Sequence, residues 1–502
     1  MSWPSITVCN LNHVEASKLK FWDEINETES MVNALLGNHE ESDQDEEVFF
    51  GVSWLTMVQR QSCSNLFISM SFRGRFQTWK NLPTYMDDEI YAHNIGPSYY
   101  PTDFGACCLF IPHLDFEMSD DNLTYEELYG GLKADAQSGQ KNGLRLLLDA
   151  EQFNYANIPA NDRVGFKMAL HSHTDKPMMQ FSSQLINVGT ETHVNLIPTI
   201  SYTTKDAIMM MNPEERQCYA NREANLTYVP DYLGFKYSLD NCLLNQLIAD
   251  IIWNCQCIPA FASTWIFDAF EELSYCSYEE LYCANQKMDS VVMGNKTISG
   301  YDSKLFGNVS KPPSINCRSA CKHQENTIQV SNVHFPKMEN FFYKKKFCHV
   351  ASHIWQATCQ DEDRKHFLDK KQPELCMILK SFQEYFEYNS TCKKWPNNFL
   401  EKYDSHRNNT LEQQIYQYGR ENLAFVQVMI QSPYITKIKR DIAMTITTYI
   451  GNTGGVLSLC LGCSFISIVE ILVWIYFCCF ESLKKAKKYC SSLSRNLMNG
   501  AD

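Results

Sequence analysis

The sequence lacks the features that would assign it to several common classes of protein. It has no excess of positive charge, since 44 Lys and Arg stand against 58 Asp and Glu and the formal net charge is −14. A nucleic-acid partner would require a basic face, so this charge argues against one. No nucleophile elbow, phosphate-binding loop or zinc-protease motif occurs. An enzyme is therefore the weakest interpretation, and no cofactor is expected.

Cysteine, by contrast, is abundant, and its distribution indicates the compartment. Sixteen of the 21 cysteines precede residue 400, and the other five lie in or beside a C-terminal apolar run. Seven N-x-S/T sequons also precede that run, at Asn26, Asn122, Asn225, Asn295, Asn308, Asn389 and Asn408. Together they indicate an oxidised, glycosylated, extracellular compartment.

A cytosolic zinc protein is the alternative to a disulfide framework. The cysteine spacings do not repeat with the histidines as finger-type zinc ligands would, so no metal site is expected. His171 and His173 fall on one face of a predicted strand and have the chemistry of metal ligands. Ordinary surface histidines are the favoured interpretation.

One apolar run is long enough to cross a membrane. Residues 456–480 contain a single carboxylate, that of Glu470, and 25 residues suffice for a span. Four lysines follow within 484–488. By the positive-inside rule they place the C-terminus in the cytoplasm. We therefore expect an extracellular domain over 1–455, a transmembrane pore helix over 456–480 and a cytoplasmic tail over 481–502.

The beginning of the sequence does not account for export of such a domain. MSWPSITVCN has neither a basic region nor an apolar region of the kind that a signal peptide needs. We expect that an N-terminal transmembrane helix is missing from this sequence, through gene prediction, splicing or real loss, with the first two favoured.

The pattern of apolar residues predicts an α+β fold. Alternation predicts sheet over 143–204, a strand within 1–15 and a further strand at ENLAFVQVMIQS. LLNQLIADIIW predicts a helix with one apolar face. Two further helices are predicted, at 28–48, where an acidic loop follows, and at 124–132. Residues 335–409 form a charged, helix-prone insert with four cysteines of its own.

Several segments, in this order, resemble the degenerin/epithelial sodium channel (DEG/ENaC) family over nearly the whole chain. The resemblance rests on WPSITVCN at 3–10, DFGACCLF at 103–110, NGLRLLLD at 142–149, VGFKMALHS at 164–172, YSLDNC…CQC at 237–257, CRSAC at 317–321, YGREN at 418–422, and GNTGG…LGCSFISIVE from Gly451. The 335–409 insert is longer than in vertebrate relatives and resembles an invertebrate elaboration.

This resemblance implies both a fold and a function. The fold would be a disulfide-rich extracellular domain, with a β-sheet palm and β-ball and with helical finger, thumb and knuckle, on a membrane helix bundle. The family form is a homo- or hetero-trimer of related subunits with two transmembrane helices each. It sits in the plasma-membrane bilayer as a stimulus-gated, amiloride-sensitive Na⁺ channel. The alternative is a non-conducting truncated subunit or membrane glycoprotein that regulates full-length partners.

The resemblance also implies a disulfide ladder in the thumb. The implied pairs are Cys218–Cys321, Cys242–Cys317, Cys255–Cys283 and Cys257–Cys276. One further rung of the family falls on Gln246 and Ile315, so both of its cysteines are missing together. Near the start, Cys9 is expected to pair with Cys107 or Cys108, which leaves the other for Cys63. The four insert cysteines (Cys348, Cys359, Cys376, Cys392) are expected to pair among themselves, with undetermined connectivity.

The resemblance assigns roles within the C-terminal run as well. Small residues permit close helix approach and local breaks from helix, and Gly462, Cys463 and Ser464 fall at the selectivity filter. Gly451, just before an Asn-x-Gly-Gly turn, falls at the gating (degenerin) position, and Ser458 at the amiloride-block position. A carboxylate in a bilayer costs roughly 2.5–3.5 kcal/mol, so Glu470 is expected to face water or a partner helix. Whether it attracts cations or bonds between helices stays open.

The sequence also departs from the family. The first membrane helix and the cytoplasmic His-Gly motif are absent from it. Glu215 stands where the family has a tryptophan at the wrist. The acidic pair of proton-gated members reads Thr174-Asp175 here, so acid gating has no support from the sequence.

Overall fold

A computed structural model provides the structure of the chain. It describes residues 3–12, 15–17, 63–72, 75–78, 98–110, 138–139, 142–155, 163–220, 223–229, 235–259, 261–262, 273–276, 280, 283–284, 286–288, 316–336, 345–380, 405–444, 446–461 and 465–498. The helices predicted at 28–48 and 124–132 lie outside these ranges.

The described strands are β1 (Ser5–Asn10), β2 (Phe67–Phe72), β3 (Arg75–Thr78), β4 (Ser98–Thr102), β5 (Gly105–Phe110), β6 (Leu144–Asp149), β7 (Gly165–His171), β8 (Ser183–Asn187), β9 (Thr190–Thr203), β10 (Cys218–Tyr219), β11 (Ser319–Ala320), β12 (Lys322–His334), β13 (Leu423–Ile430) and β14 (Thr436–Arg440).

The described helices are α1 (Cys63–Leu66), α2 (Lys205–Met210), α3 (Pro213–Arg216), α4 (Leu239–Cys255), α5 (Lys345–Ile354), α6 (Glu362–Lys371), α7 (Leu375–Lys380), α8 (Ser405–Asn422), α9 (Ile446–Leu461) and α10 (Phe465–Met498). A π-helical turn, Trp355–Cys359, follows α5 directly.

The strands form two main sheets. The smaller has the order β4-β5-β1-β7-β8, and the larger has the order β12-β9-β13-β6-β2-β3, with β14 also paired to β9. The sheet predicted over 143–204 is therefore present as β6 to β9, although it is divided between the two sheets. The strand predicted within 1–15 is β1, the central strand of the smaller sheet, where Trp3, Ile6 and Val8 are buried.

Strand β13 lies at the centre of the larger sheet and is buried on both faces. Val426 and Val428 pack in the main core with residues of β1, β6 and β7. Phe425 packs on the other side, with residues of α5 to α8. The expected alternation of β13 therefore does not mark an inner and an outer face, because helices of the insert cover the second face.

Helix α4 confirms the helix predicted at LLNQLIADIIW. It begins after Ser238, whose hydroxyl accepts a hydrogen bond from the backbone N–H of Asn241 at 3.1 Å, as an N-cap does. The predicted apolar face is buried, apart from the half-buried Leu243. Two disulfides, Cys242–Cys317 and Cys255–Cys283, attach this helix to its surroundings.

The structure contains all four thumb disulfides that the family resemblance implies. It also selects between the two pairings that were open for Cys9. Val8 lies opposite Cys108 in the antiparallel pair of β1 and β5, so Cys9 lies opposite Cys107. Cys9 accordingly bonds Cys107, while Cys108 points to the other face and bonds Cys63.

Within the insert, Cys359 bonds Cys376, which links the π-helical turn to α7. Cys348 is also disulfide-bonded, and Cys392 lies outside the described residues.

The chain divides into two compact units. One comprises residues 1–203 and 211–439, which include both sheets and the insert. The other comprises residues 204–210 and 440–502 and therefore contains α2, α9 and α10. Within the second unit, the Thr204 hydroxyl donates a hydrogen bond to the Asp441 carboxylate at 2.7 Å, which ties the start of α2 to the approach to α9.

Candidate functional site

Helix α9 contains the residue that the resemblance places at the gate. Gly451 lies in its first half, and the GNTGG segment that we expected to form a turn is helical throughout. The expected turn is wrong. Each glycine weakens a helix in water by about 1 kcal/mol relative to alanine. In an apolar medium this loss is offset, because such a medium favours a backbone whose hydrogen bonds are all internal.

The small residues of α9 share one face. Gly451, Gly455 and Ser458 are separated by four and three residues, which is the spacing of neighbours along a helix face. A Cβ added at Gly451, Gly454 or Gly455 would meet no atom within 4 Å. A larger side chain therefore fits at each of these positions within one subunit, and the face is available for close approach of a second helix.

Helix α10 carries the candidate membrane span. By length and composition alone, Ile466–Ser491 is a candidate membrane span, because it contains an 18-residue window with a mean hydropathy of 1.9. The span predicted over 456–480 is thus distributed over α9 and α10. The three residues assigned to the selectivity filter, Gly462, Cys463 and Ser464, lie outside the described residues, between the end of one helix and the start of the next.

Glu470 is exposed on α10 and lies in a shallow apolar concavity of its surface. The concavity is lined by Ile466, Val469, Glu470, Val473, Trp474 and Phe477. These residues recur at intervals of three and four, so they form one helix face with the carboxylate near its centre. In a bilayer, this carboxylate requires water, a cation or a polar group of another helix.

The glycosylation sites are mostly outside the described residues. Asn225 is exposed, as an acceptor of a glycan must be. Asn408 lies in α8. The other five predicted acceptors, Asn26, Asn122, Asn295, Asn308 and Asn389, lie outside the described residues.

His171 and His173 do not form a metal site with other residues of the described ranges, where no group of three potential ligands occurs. Instead, the His171 Nε2 atom is hydrogen-bonded to the Thr7 hydroxyl at 2.9 Å. Burial lowers the pKa of His171 to about 4, so its ring is neutral at physiological pH.

The segment after β7 joins the smaller sheet to helix α4. The Asn241 side chain accepts from the backbone N–H of Lys176 at 2.9 Å and donates to the carbonyl oxygens of Thr174 and Lys236, at 2.9 and 2.7 Å. One side chain of the helix therefore fixes two chain segments, and residues 174–176 form a joint between sheet and helix.

Two ionisable groups in this joint are shielded from water, since Lys176 is buried and Asp175 is partly buried. Burial, with a smaller effect of Asp240, raises the pKa of Asp175 to about 7. Burial alone lowers the pKa of Lys176 to about 7. The Lys176 ammonium group is 2.9 Å from the Phe261 carbonyl oxygen, to which it donates, and 5.5 Å from the Phe235 ring centroid. No local sequence pattern marks Lys176, because its burial depends on segments about 60 and 85 residues away along the chain.

Glu215 stands where the resemblance expects the family's wrist tryptophan, and its side chain caps the N-terminal end of α3. Its side chain accepts from the backbone N–H of Asn212 at 3.2 Å, and the Asn212 side chain accepts from the backbone N–H of Glu215 at 2.8 Å. This reciprocal pair is a capping box. A carboxylate suits this position because it satisfies a helix N-terminus, which a tryptophan does not.

Comparison with known proteins agrees with these features. The model of the amiloride-sensitive sodium channel family matches residues 1–474. Similar proteins include the sodium channel protein Nach of Drosophila ananassae, 21% identical over 46% of this chain and 37% of that protein. Degenerin-like protein unc-105 of Caenorhabditis elegans is 21% identical over 79% of this chain and 34% of that protein. Pickpocket protein 19 of Drosophila melanogaster is 24% identical over 51% and 50%.

The disulfide-rich β-sheet domain and the apolar C-terminal helix define a class of membrane protein, and the family match specifies it. The chain belongs to the amiloride-sensitive sodium channel family, which is a family of ion channels and not of enzymes. The resemblance drawn from the sequence motifs is thereby confirmed. The chain spans about a third to a half of the length of these relatives.

Proposed function

We propose that the protein is a subunit of a trimeric, stimulus-gated cation channel that conducts Na⁺ passively across the plasma membrane. The observation that supports this proposal most is the family match, which extends from the first strand into α10. The disulfide framework of the thumb adds support, because it lies in the part of the chain that would be extracellular.

The pore in this proposal is made by α9 and α10 from several subunits around an axis. A single helix pair encloses no pathway, so an oligomer is required. The face of α9 that carries the small residues Gly451, Gly455 and Ser458 would permit close approach of neighbouring helices. Gly462, Cys463 and Ser464 would form the selectivity filter. Glu470 would face the pathway or a neighbouring helix. In the same arrangement, Ser458 would set amiloride block and the C-terminus would lie in the cytoplasm.

Gly451→Val tests the gating role directly. A side chain at this position has open space within the subunit, so its effect would come from crowding between subunits. We expect a constitutive inward Na⁺ current in voltage-clamped cells that express the variant, and this current should be reduced by amiloride. Asn452→Val is the matched control, since Asn452 is also exposed but is turned by about 100° from Gly451 around α9, away from the face of Gly451, Gly455 and Ser458.

Three results of this experiment are informative. Constitutive current from Gly451→Val alone supports the gating assignment. Equal current from both variants would attribute the effect to a β-branched side chain in this turn of α9 and not to its position. If both proteins reach the cell surface and neither conducts, the non-conducting regulatory role becomes the better account. In that case the chain should co-precipitate with related subunits and reduce their current.

A further inference from the structure

The chain segment that carries the short helix α2 is fixed at both of its ends. Before the helix, the backbone N–H of Thr203 donates to the carbonyl oxygen of Cys321 at 2.8 Å. Cys321 is bonded to Cys218, which lies beyond the other end of the helix. On that side, the Arg216 guanidinium donates to the carbonyl oxygens of Met211 and Cys218, at 2.8 and 3.1 Å. Both ends of the segment are therefore attached to the same disulfide.

The start of α2 contacts the chain segment that leads into α9. The backbone N–H of Thr204 donates to the carbonyl oxygen of Arg440 at 3.0 Å. The Thr204 hydroxyl donates to the Asp441 carboxylate at 2.7 Å and accepts from the backbone N–H of Ala207 at 3.3 Å, as an N-cap does. The Asp441 carboxylate also accepts from the backbone N–H of Ile442 at 2.9 Å. Each of the two side chains is thus oriented by the backbone next to it.

The contact between Thr204 and Asp441 lies where a movement of α9 would reach it. Helix α9 begins at Ile446, five residues after Asp441, and Gly451 lies in its first half. Asp441 is exposed, so its bond to Thr204 exchanges with bonds to water at little net cost in free energy. The contact can therefore form and break without disturbing a buried core.

We infer that Thr204 and Asp441 are positioning residues of the gate, whose contact holds the approach to α9 in its resting place and separates when α9 moves. Asp441 is continuous with α9, whereas Thr204 belongs to the segment attached to the disulfide of Cys218, so a displacement of α9 has to stretch the bond between them. Glu215, in place of the wrist tryptophan, is engaged in the capping box of α3. The inference rests on the proposed function in one respect, namely that α9 moves when the pore opens.

A pair of engineered cysteines measures this contact directly. Thr204→Cys and Asp441→Cys place two thiols where the backbones already meet in a 3.0 Å hydrogen bond, which is within the reach of a disulfide. The full chain is expressed in cells, treated with a mild oxidant and digested, and mass spectrometry follows the linked peptides. The rate of linking reports the fraction of protein in which the contact is closed. Gly451→Val, added to the pair, should slow it by about tenfold or more, because the valine shifts the population to a displaced α9.

Asn452→Val is the matched control for the cross-linking measurement, and it should leave the rate unchanged.

A second measurement isolates the hydroxyl of Thr204. In the channel that retains Gly451, Thr204→Val removes the hydroxyl at constant side-chain shape, whereas Thr204→Ser keeps it. Thr204→Val should raise the basal Na⁺ current by roughly threefold or more, as expected for the loss of one hydrogen bond that favours the closed state. Thr204→Ser should leave the current unchanged.

Cross-linking at the same rate with Gly451 and with Gly451→Val would overturn the inference. So would equal basal currents from Thr204→Val and Thr204→Ser in a conducting channel. Because cross-linking is measured without current, the two proposals fail in different ways. A silent protein whose cross-linking still slows in Gly451→Val would refute conduction and retain the positioning role. A conducting protein whose cross-linking rate does not change would do the reverse.

Discussion

At the scale of single residues, the main finding is that ionisable side chains are shielded from water where the smaller sheet meets helix α4. Lys176 is 7% exposed and has a carbonyl oxygen, not a carboxylate, as the partner of its ammonium group. The groups nearby are Asp175 and His173 in the same segment, Asp240 on α4, and Lys236 before it. Such a site disfavours the charged form of lysine.

The two shifted groups of this joint make opposite contributions to the pH dependence of stability. The pKa of Asp175 is raised to about 7, so its contribution is fully present below its ordinary pKa and is lost as the pH rises through 7. The pKa of Lys176 is lowered to about 7. Its contribution is fully present above its ordinary pKa and is lost as the pH falls through 7. The joint is therefore least stable near neutral pH.

Lys176→Met tests this account by removing the titrating amine at nearly constant side-chain length. In the original protein, the free energy of unfolding should rise with pH between about 7 and 10, because the unfolded state binds the proton that the folded state releases. The variant should lose most of that slope. It should keep the pH dependence of the free energy of unfolding below pH 7, which Asp175 causes. Urea unfolding with intact disulfides, measured across this range, provides the comparison.

Lys205→Met is the control for this prediction, since Lys205 is exposed. It should leave the slope unchanged. An unaltered slope in the Lys176 variant would show that the buried amine does not titrate in this range.

At the scale of elements, a buried ionic cluster attaches the insert to the rest of the disulfide-rich β-sheet unit. Arg364 of α6 bridges Glu15, which follows β1, and Glu151, which follows β6, with Nη–Oε distances of 2.9 and 3.0 Å. All three side chains are less than 10% exposed. Nearby, the Tyr418 hydroxyl of α8 donates to the Asp149 carboxylate at 2.7 Å.

Arg364→Met should destabilise the disulfide-rich β-sheet unit strongly, because two carboxylates would remain buried without their cation. We expect a loss of about 3–5 kcal/mol in the free energy of unfolding. Adding Glu15→Gln and Glu151→Gln to this variant should recover part of the loss. Arg420→Met, at an exposed position of α8, should change stability little.

Either of two results would contradict this prediction. One is an Arg364→Met protein as stable as the original. The other is a triple variant that is no more stable than the single one, since the unpaired carboxylates would then not be the source of the loss.

What the sequence predicted at this scale was mostly local or came from the family resemblance. The N-cap of α4 and its apolar spacing are encoded in consecutive residues, and the structure places that helix as expected. The ties of Arg364 to Glu15 and Glu151 span 349 and 213 residues, and no local pattern reports such pairs. For the same reason β13 was expected to alternate, since the helices that cover its second face are distant in the sequence.

The expected turn at GNTGG failed for a different reason. Glycine propensities describe a chain in water, whereas an apolar helix is selected by the requirement to satisfy its own backbone. The candidate site shows the same limits. The positions of Gly451, Ser458 and Glu470 came from motif resemblance, while their arrangement on helix faces required the structure.

At the scale of the whole molecule, a disulfide-rich β-sheet unit is followed in the chain by a helical unit that contains the candidate pore. The family assignment covers both parts. Conduction, selectivity and stoichiometry are the parts of the proposal that depend on several copies of the chain acting together, so a measurement of ion selectivity tests them jointly.

The most direct test is the reversal potential of the current carried by the Gly451→Val channel when external Na⁺ is replaced by K⁺. The proposed function predicts a large negative shift, because the filter proposed at residues 462–464 would admit Na⁺ in preference to K⁺. It also predicts that Ser464→Ala, added to this variant, makes the shift smaller. Protein that is present at the cell surface and carries a current whose reversal potential is the same in both ions would contradict a sodium-selective pore.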